Sequence, residues 1–94
     1  MSLILKDPQA ALDYAIDWGA DYLGNDDTLL ESRWSVFPIV EGGVRIMTDT
    51  FGPTSATATV DGGIAGHVYR LTNEVETAMG RTDRRSIMLR VEAR

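Results

Sequence analysis

The stretch Arg81-Thr82-Asp83-Arg84-Arg85 sets three guanidinium groups about one carboxylate within five residues. Such a cluster suits a clamp on carboxylates of a neighbouring chain, because the planar arginine fork matches two carboxylate oxygens. The plainer reading is a turn stabilised by Asp83 with its arginines in solvent. Phosphate binding is disfavoured, since no glycine-rich loop here leads into a helix. Asp13, Asp17 and Asp21 recur every four residues, with Asp26 and Asp27 just beyond. That run fits a docking face for a basic partner or a solvated surface. Calcium would need several oxygen ligands in one loop, and no EF-hand spacing is present. His67 is the single histidine and has no Asp, Ser or Cys at catalytic spacing. With no cysteine there is no disulfide, thiolate or Cys-based zinc chemistry. The expectation is a chain without catalysis, metal or cofactor. Among the aromatic residues, Trp34 and Tyr69 read as core, whereas Tyr22 and Phe51 lie near turns and read as contacts for a partner.

Charge sharpens the choice of partner. The 94 residues carry a net charge of −5, which disfavours general nucleic-acid binding because phosphates need a basic surface. Residues 1–64 hold three cations against ten acids, and residues 65–94 hold six arginines against four acids. This asymmetry suits a protein that shows different charges to different protein neighbours. No apolar run approaches the roughly 18 residues of a membrane span, and the first residues carry no basic leader or long apolar stretch of an export signal. Neither a membrane nor a nucleic acid is expected as partner.

These side chains must be held by strands. Tyr69, Leu71 and Val75 alternate with Arg70, Thr72, Glu74 and Glu76, the half-buried strand pattern. A turn follows over residues 78–83, and Ile87, Leu89 and Val91 then alternate with polar neighbours, so the two runs read as an antiparallel hairpin. Ser55 to Val60 alternates alanine with threonine and ends at Asp61-Gly62-Gly63. Val44 to Thr48 and Glu31 to Phe37 are further strands bounded by glycine or proline. Residues 8–23 carry two periods at once. Leu12, Ala15, Ile16, Gly19 and Leu23 fall at helical spacing, while Leu12, Tyr14, Ile16 and Trp18 alternate as in a strand. The all-strand context favours the second.

Seven strands are therefore expected, at residues 3–6, 11–19, 29–37, 44–49, 55–60, 67–77 and 85–92, in one domain over residues 1–94. That count and spacing predict an all-β, immunoglobulin-like antiparallel sandwich. Trp34 on the third strand and Tyr69 opening the sixth occupy the places of its buried tryptophan and tyrosine corner. Leu71, Val75, Ile87 and Leu89 complete the expected core, with packing in place of a disulfide.

The run Gly66-His67-Val68-Tyr69-Arg70-Leu71-Thr72-Asn73, followed by Thr77-Ala78-Met79-Gly80-Arg81-Thr82-Asp83-Arg84-Arg85-Ser86, resembles the signature G-x-x-Y-x-x-T-N … T-x-x-G-R-T-D-x-R-S. That signature belongs to the fiber-tail adaptor or virion structural proteins of tailed bacteriophages. The likeness spans nearly the whole chain, and residues 37–54 depart most from it. It implies a virion part of the tail or neck, assembled in the host cytoplasm, whose partners are other phage structural proteins. A rigid sandwich would present an acidic rim (Asp13, Asp17, Asp21) and an arginine rim (Arg81, Asp83, Arg84, Arg85) to successive neighbours, with copies closing into a ring. The alternative is a module that recognises host glycan or decorates the capsid through exposed aromatics.

Overall fold

Alternation of apolar and polar residues, interrupted by glycine and proline, sets where each strand begins and ends. The computed structural model describes residues 3–24 and 26–93, without the side chains of residues 20 and 21. Its strands are β1 (Leu3–Lys6), β2 (Leu12–Asp17), β3 (Leu29–Phe37), β4 (Arg45–Phe51), β5 (Ser55–Asp61), β6 (Val68–Thr77) and β7 (Thr82–Val91). One sheet has the order β1-β7-β6-β3 and the other β2-β5-β4. The chain is an all-β sandwich, and its strand orders 7-6-3 and 2-5-4 match the two sheets of an immunoglobulin-like domain. Four of the five strand pairs are antiparallel. The exception is β1, which runs parallel to β7 with Leu3 opposite Met88 and Lys6 opposite Val91.

The period of two places Ala56, Ala58 and Val60 of β5 against Tyr69, Leu71 and Val75 of β6, and all six are fully buried. Burying a side chain such as Leu71 or Leu89 contributes about 1.5–3 kcal/mol relative to exposure. The core falls into two clusters. One gathers Tyr14, Val44, Val60, Tyr69, Leu71, Leu89 and Val91, and the other Ile16, Trp18, Leu23, Leu29, Ala56 and Val75. Half-buried Trp34 and Ile87 touch both clusters.

Each cluster lies near one end of the sandwich. The glycine end carries the β3–β4 and β5–β6 connections, where Gly42, Gly62, Gly63 and Gly66 all have positive φ. There the Tyr69 hydroxyl accepts a hydrogen bond from the Ile64 N–H at 3.1 Å, the arrangement of a tyrosine corner. Lys6, 1% exposed, sends its ammonium to the carbonyls of Asp7 at 2.9 Å and Gly62 at 2.7 Å. The arginine end carries the β2–β3 connection, the β4–β5 turn and the β6–β7 turn.

Several boundaries differ from the sequence reading. β2 stops at Asp17, and Gly19–Leu23 form a π-type turn, so the helical spacing of Gly19 and Leu23 and the strand spacing of Tyr14 and Ile16 are each right for half the segment. Asp17 Oδ1 accepts from the Gly19 N–H at 2.8 Å and Trp18 N–H donates to Thr54 O at 2.8 Å. Those bonds turn the chain so that the Trp18 indole enters the gap between the sheets. The fully buried tryptophan is consequently Trp18. Trp34, on edge strand β3, is only half-buried, although it packs against both core clusters. β7 begins at Thr82, so most of the polar stretch read as a loop is strand. Near the end of a sandwich both strand faces meet water, and the alternation that reveals a strand is lost there.

Candidate docking surfaces

Arg81, Arg84 and Arg85 do not converge. Arg81 turns back over the β6–β7 turn and grips Asp27 Oδ2 through Nε at 3.1 Å and Nη2 at 2.9 Å. It also donates to Leu23 O at 3.3 Å and lies 4.7 Å from the Tyr22 ring centre. Asp27 is 4% exposed and accepts further hydrogen bonds from the Thr28 and Met79 N–H groups. Burial pushes the Asp27 carboxyl up, but bonds from the Thr77 hydroxyl, Arg81, Met79 and Thr28 outweigh it and hold it below the usual carboxylate range. Arg81 thereby staples the β6–β7 turn to the β2–β3 connection.

Alternation along β7 sends the next two arginines to opposite faces. Arg84 faces outward and meets Glu74 at 3.4 Å, and Glu74 also receives Arg33 at 3.3 Å. Arg85 points the other way, its guanidinium 4.4 Å from the Trp18 ring and donating to Asp17 O at 3.2 Å. Asp83 accepts from the Arg84 N–H at 2.7 Å. Tyr22 is half-buried and meets Trp18 edge to face at 5.2 Å.

The acidic and basic stretches therefore meet at one end, through Arg81–Asp27 and Arg85–Asp17. The expected pair of opposite rims is corrected: the charge split along the sequence is not a polarity in space, because β2 ends where β7 begins. Asp17 lies at this arginine end, and the Asp21 side chain lies outside the described residues. Asp13 lies further along β2 and takes a hydrogen bond from the Thr59 hydroxyl. Phe51, 43% exposed, stands at the end of β4 opposite Ala56.

The outer face of the four-stranded sheet has a graded surface. From the glycine end inward, strand register aligns Leu5–Arg90–Val68, then Leu3–Met88–Arg70–Phe37, then Ser86–Thr72–Ser35, then Arg84–Glu74–Arg33. Apolar side chains dominate the first two rows, hydroxyls the third and ion pairs the fourth. A shallow depression of about 360 Å³ is lined by Ser35, Phe37, Arg70, Thr72, Arg84 and Ser86. The Arg70 guanidinium lies 5.6 Å from the Phe37 ring centre, and Thr72 and Ser86 share a hydrogen bond of 2.8 Å. Sequence reasoning put Arg70 on a polar strand face without singling it out. The signal was its register beside Met88, which needs the pairing of strands to be known.

Exposed apolar side chains gather at the glycine end. Ile39 is 85% exposed, Phe37 64%, Val40 45% and Ile64 37%. A second depression there, about 310 Å³, is lined by Val40, Gly42, Gly43, Arg45, Asp61 and Gly62. Arg45 binds Asp61 at 2.7 Å and holds its carboxyl below the usual range against the opposing effect of burial. Edge strand β4 is exposed along nearly all its length.

Among the described residues, no three of His, Asp and Glu gather to hold a metal ion. His67 stacks beside Tyr69 with ring centres 6.5 Å apart. What the arrangement offers is contact: a flat graded face, an apolar end and an open strand edge. No curated protein matches the chain in sequence. A family model described as the podophage GP4 fiber-tail adaptor protein gp77 matches residues 6–90, and the chain belongs to that family.

Proposed function

We propose that the chain is a non-enzymatic adaptor of the phage tail or neck that holds neighbouring subunits, such as tail tube, connector or fiber, in fixed orientation. Membership of the fiber-tail adaptor family gives a structural role in the phage tail and contact with other tail proteins. In this reading residues 1–94 act as one immunoglobulin-like domain, assembled into particles in the host cytoplasm, with several copies arranged as a ring. The observation that carries it is the cluster of exposed Phe37, Ile39, Val40 and Ile64 at the glycine end of the sandwich. Large apolar side chains grouped in water mark a surface that a partner covers. Arg84, Arg85, Asp13 and Phe51 supply polar and aromatic contacts around the remaining surface.

Imaging of purified particles at side-chain resolution tests the proposal. The expected outcome is this sandwich in several symmetry-related copies between tail and fiber, with the glycine end covered. Absence of the chain from particles by mass spectrometry overturns it. A position on the capsid surface would favour the decoration reading.

A further inference from the structure

Arg70 occupies an unusual place on the outer face of the four-stranded sheet. The other arginines on that face have carboxylates at hand: Arg33 and Arg84 share Glu74, and Arg90 takes Glu92. Among the described residues Arg70 has none, and its row neighbours are Met88, Leu3 and Phe37. A cation at the centre of an apolar patch marks an interface hot spot only if the partner brings its counter-charge, because burying it unpaired is costly. Beside it, the hydroxyls of Thr72, Ser86 and Ser35 line a depression that can receive a carboxylate.

The matching shape is present on the same chain. The β3–β4 loop presents Ile39 and Val40, 85% and 45% exposed, followed directly by exposed Glu41. No ion pair joins Glu41 to a cation among the described residues, Arg70 of its own chain included. We propose that a second copy of this chain docks its Ile39-Val40-Glu41 loop on the Arg70 face, with the Glu41 carboxylate against the Arg70 guanidinium and Ile39 on the Leu3–Met88 apolar row. Each copy carries both halves of the contact, so it either closes as a two-fold pair or propagates head to tail into a ring.

Other occupants fit less well. A nucleic-acid backbone would meet Glu31, Glu74 and Glu76 on the same face of a chain of net charge −5. A sugar stacking on Phe37 would have to share that ring with the Arg70 guanidinium, 5.6 Å from its centre. The proposal deepens the adaptor reading by naming the contact between its copies, and rests on that reading only for the ring.

The test is sedimentation and native mass spectrometry of the full chain from micromolar to millimolar concentration. The wild type is expected to self-associate. Arg70→Glu and Glu41→Arg should each weaken association by at least about tenfold, and the combination of both substitutions should restore it. Ile39→Ser should weaken it as well. All three positions of change are exposed, and circular dichroism and thermal unfolding check that each of the four variants keeps its fold. A wild type that stays monomeric at millimolar concentration, association indifferent to either charge reversal, or a double variant without rescue overturns the contact. Saturable binding of sialyllactose that Arg70→Glu abolishes, without self-association, also overturns it in favour of a sugar. None of these outcomes touches the adaptor reading, which particle composition decides separately.

Discussion

The indole N–H of Trp18 donates to Oδ1 of Asn73 at 2.9 Å in the buried interior, joining residues 55 apart in sequence. Asn73 is fully buried, and its amide group donates in turn to Ser32 Oγ at 2.9 Å and to Arg33 O at 3.1 Å. One side chain thus ties the turn after β2 to edge strand β3 from its place on β6. Every polar atom of the side chain has a partner, the condition under which a buried polar network fixes one arrangement of the core. Replacing Asn73 by leucine keeps the volume but strands the indole N–H, a loss of about 2–3 kcal/mol. Urea unfolding should show that cost, and adding Trp18→Phe to Asn73→Leu should cost less than the sum of the two single changes.

Tyr14 and Tyr69 face each other's opposite case. Tyr69 Oη accepts the Ile64 N–H, whereas buried Tyr14 Oη has no hydrogen-bond partner among the described residues. Burial alone pushes the Tyr14 phenol above its ordinary value. Removing a hydroxyl that makes no bond relieves its desolvation, so Tyr14→Phe should stabilise by up to about 1 kcal/mol. Tyr69→Phe orphans an N–H and should destabilise by about 1–2 kcal/mol. Thermal unfolding of the two variants should shift in opposite directions.

Strands were legible wherever one face is core and the other is water, as in Tyr69–Thr77 and Ser55–Val60. Where both faces are wet, as at Thr82–Arg85, polar side chains hide the period. The segment around Trp18 was ambiguous for a physical reason: a strand and a helical turn follow one another within it, and each left its own spacing. The signature that carried the family resemblance proves to be structural. Tyr69, Asn73, Thr77 and Arg81 all make hydrogen bonds that hold connections in place. The docking features are different in kind. Arg70 beside Met88, and Asp27 under Arg81, depend on which residues become neighbours across strands, and a single sequence does not state that pairing.

Asp27 gives the fold a dependence on acid. Its carboxyl is held below 3.8, its ordinary value, so the folded chain favours the charged form. The stability it contributes is present above that value and disappears as pH falls below 3.8 toward the folded value. Asp61, lowered by Arg45, acts in the same window. Asp27→Asn should be less stable than the wild type at neutral pH, and its melting temperature should fall less steeply below about pH 4. A wild-type slope retained in Asp27→Asn would assign the acid sensitivity elsewhere.

Gly62 is the position where a single methyl group should do most harm. Its φ is +77°, a region L side chains rarely adopt, and an added Cβ would stand 2.5 Å from the Gly43 carbonyl oxygen. Relief is blocked from both sides. Lys6 Nζ holds the Gly62 carbonyl at 2.7 Å, and the next residue's N–H is bound to Gly42 O at 3.1 Å. Backbone strain of about 1–3 kcal/mol therefore adds to a contact that only movement of the β3–β4 loop can remove. Gly52 is the control, because a Cβ there meets nothing among the described residues within 4 Å. Gly62→Ala should lose about 2–4 kcal/mol in urea unfolding, and Gly52→Ala should stay within about 0.5 kcal/mol of the wild type. If the docking loop Ile39-Val40-Glu41 moves to accommodate the methyl group, self-association should weaken in Gly62→Ala even at temperatures where the core remains folded.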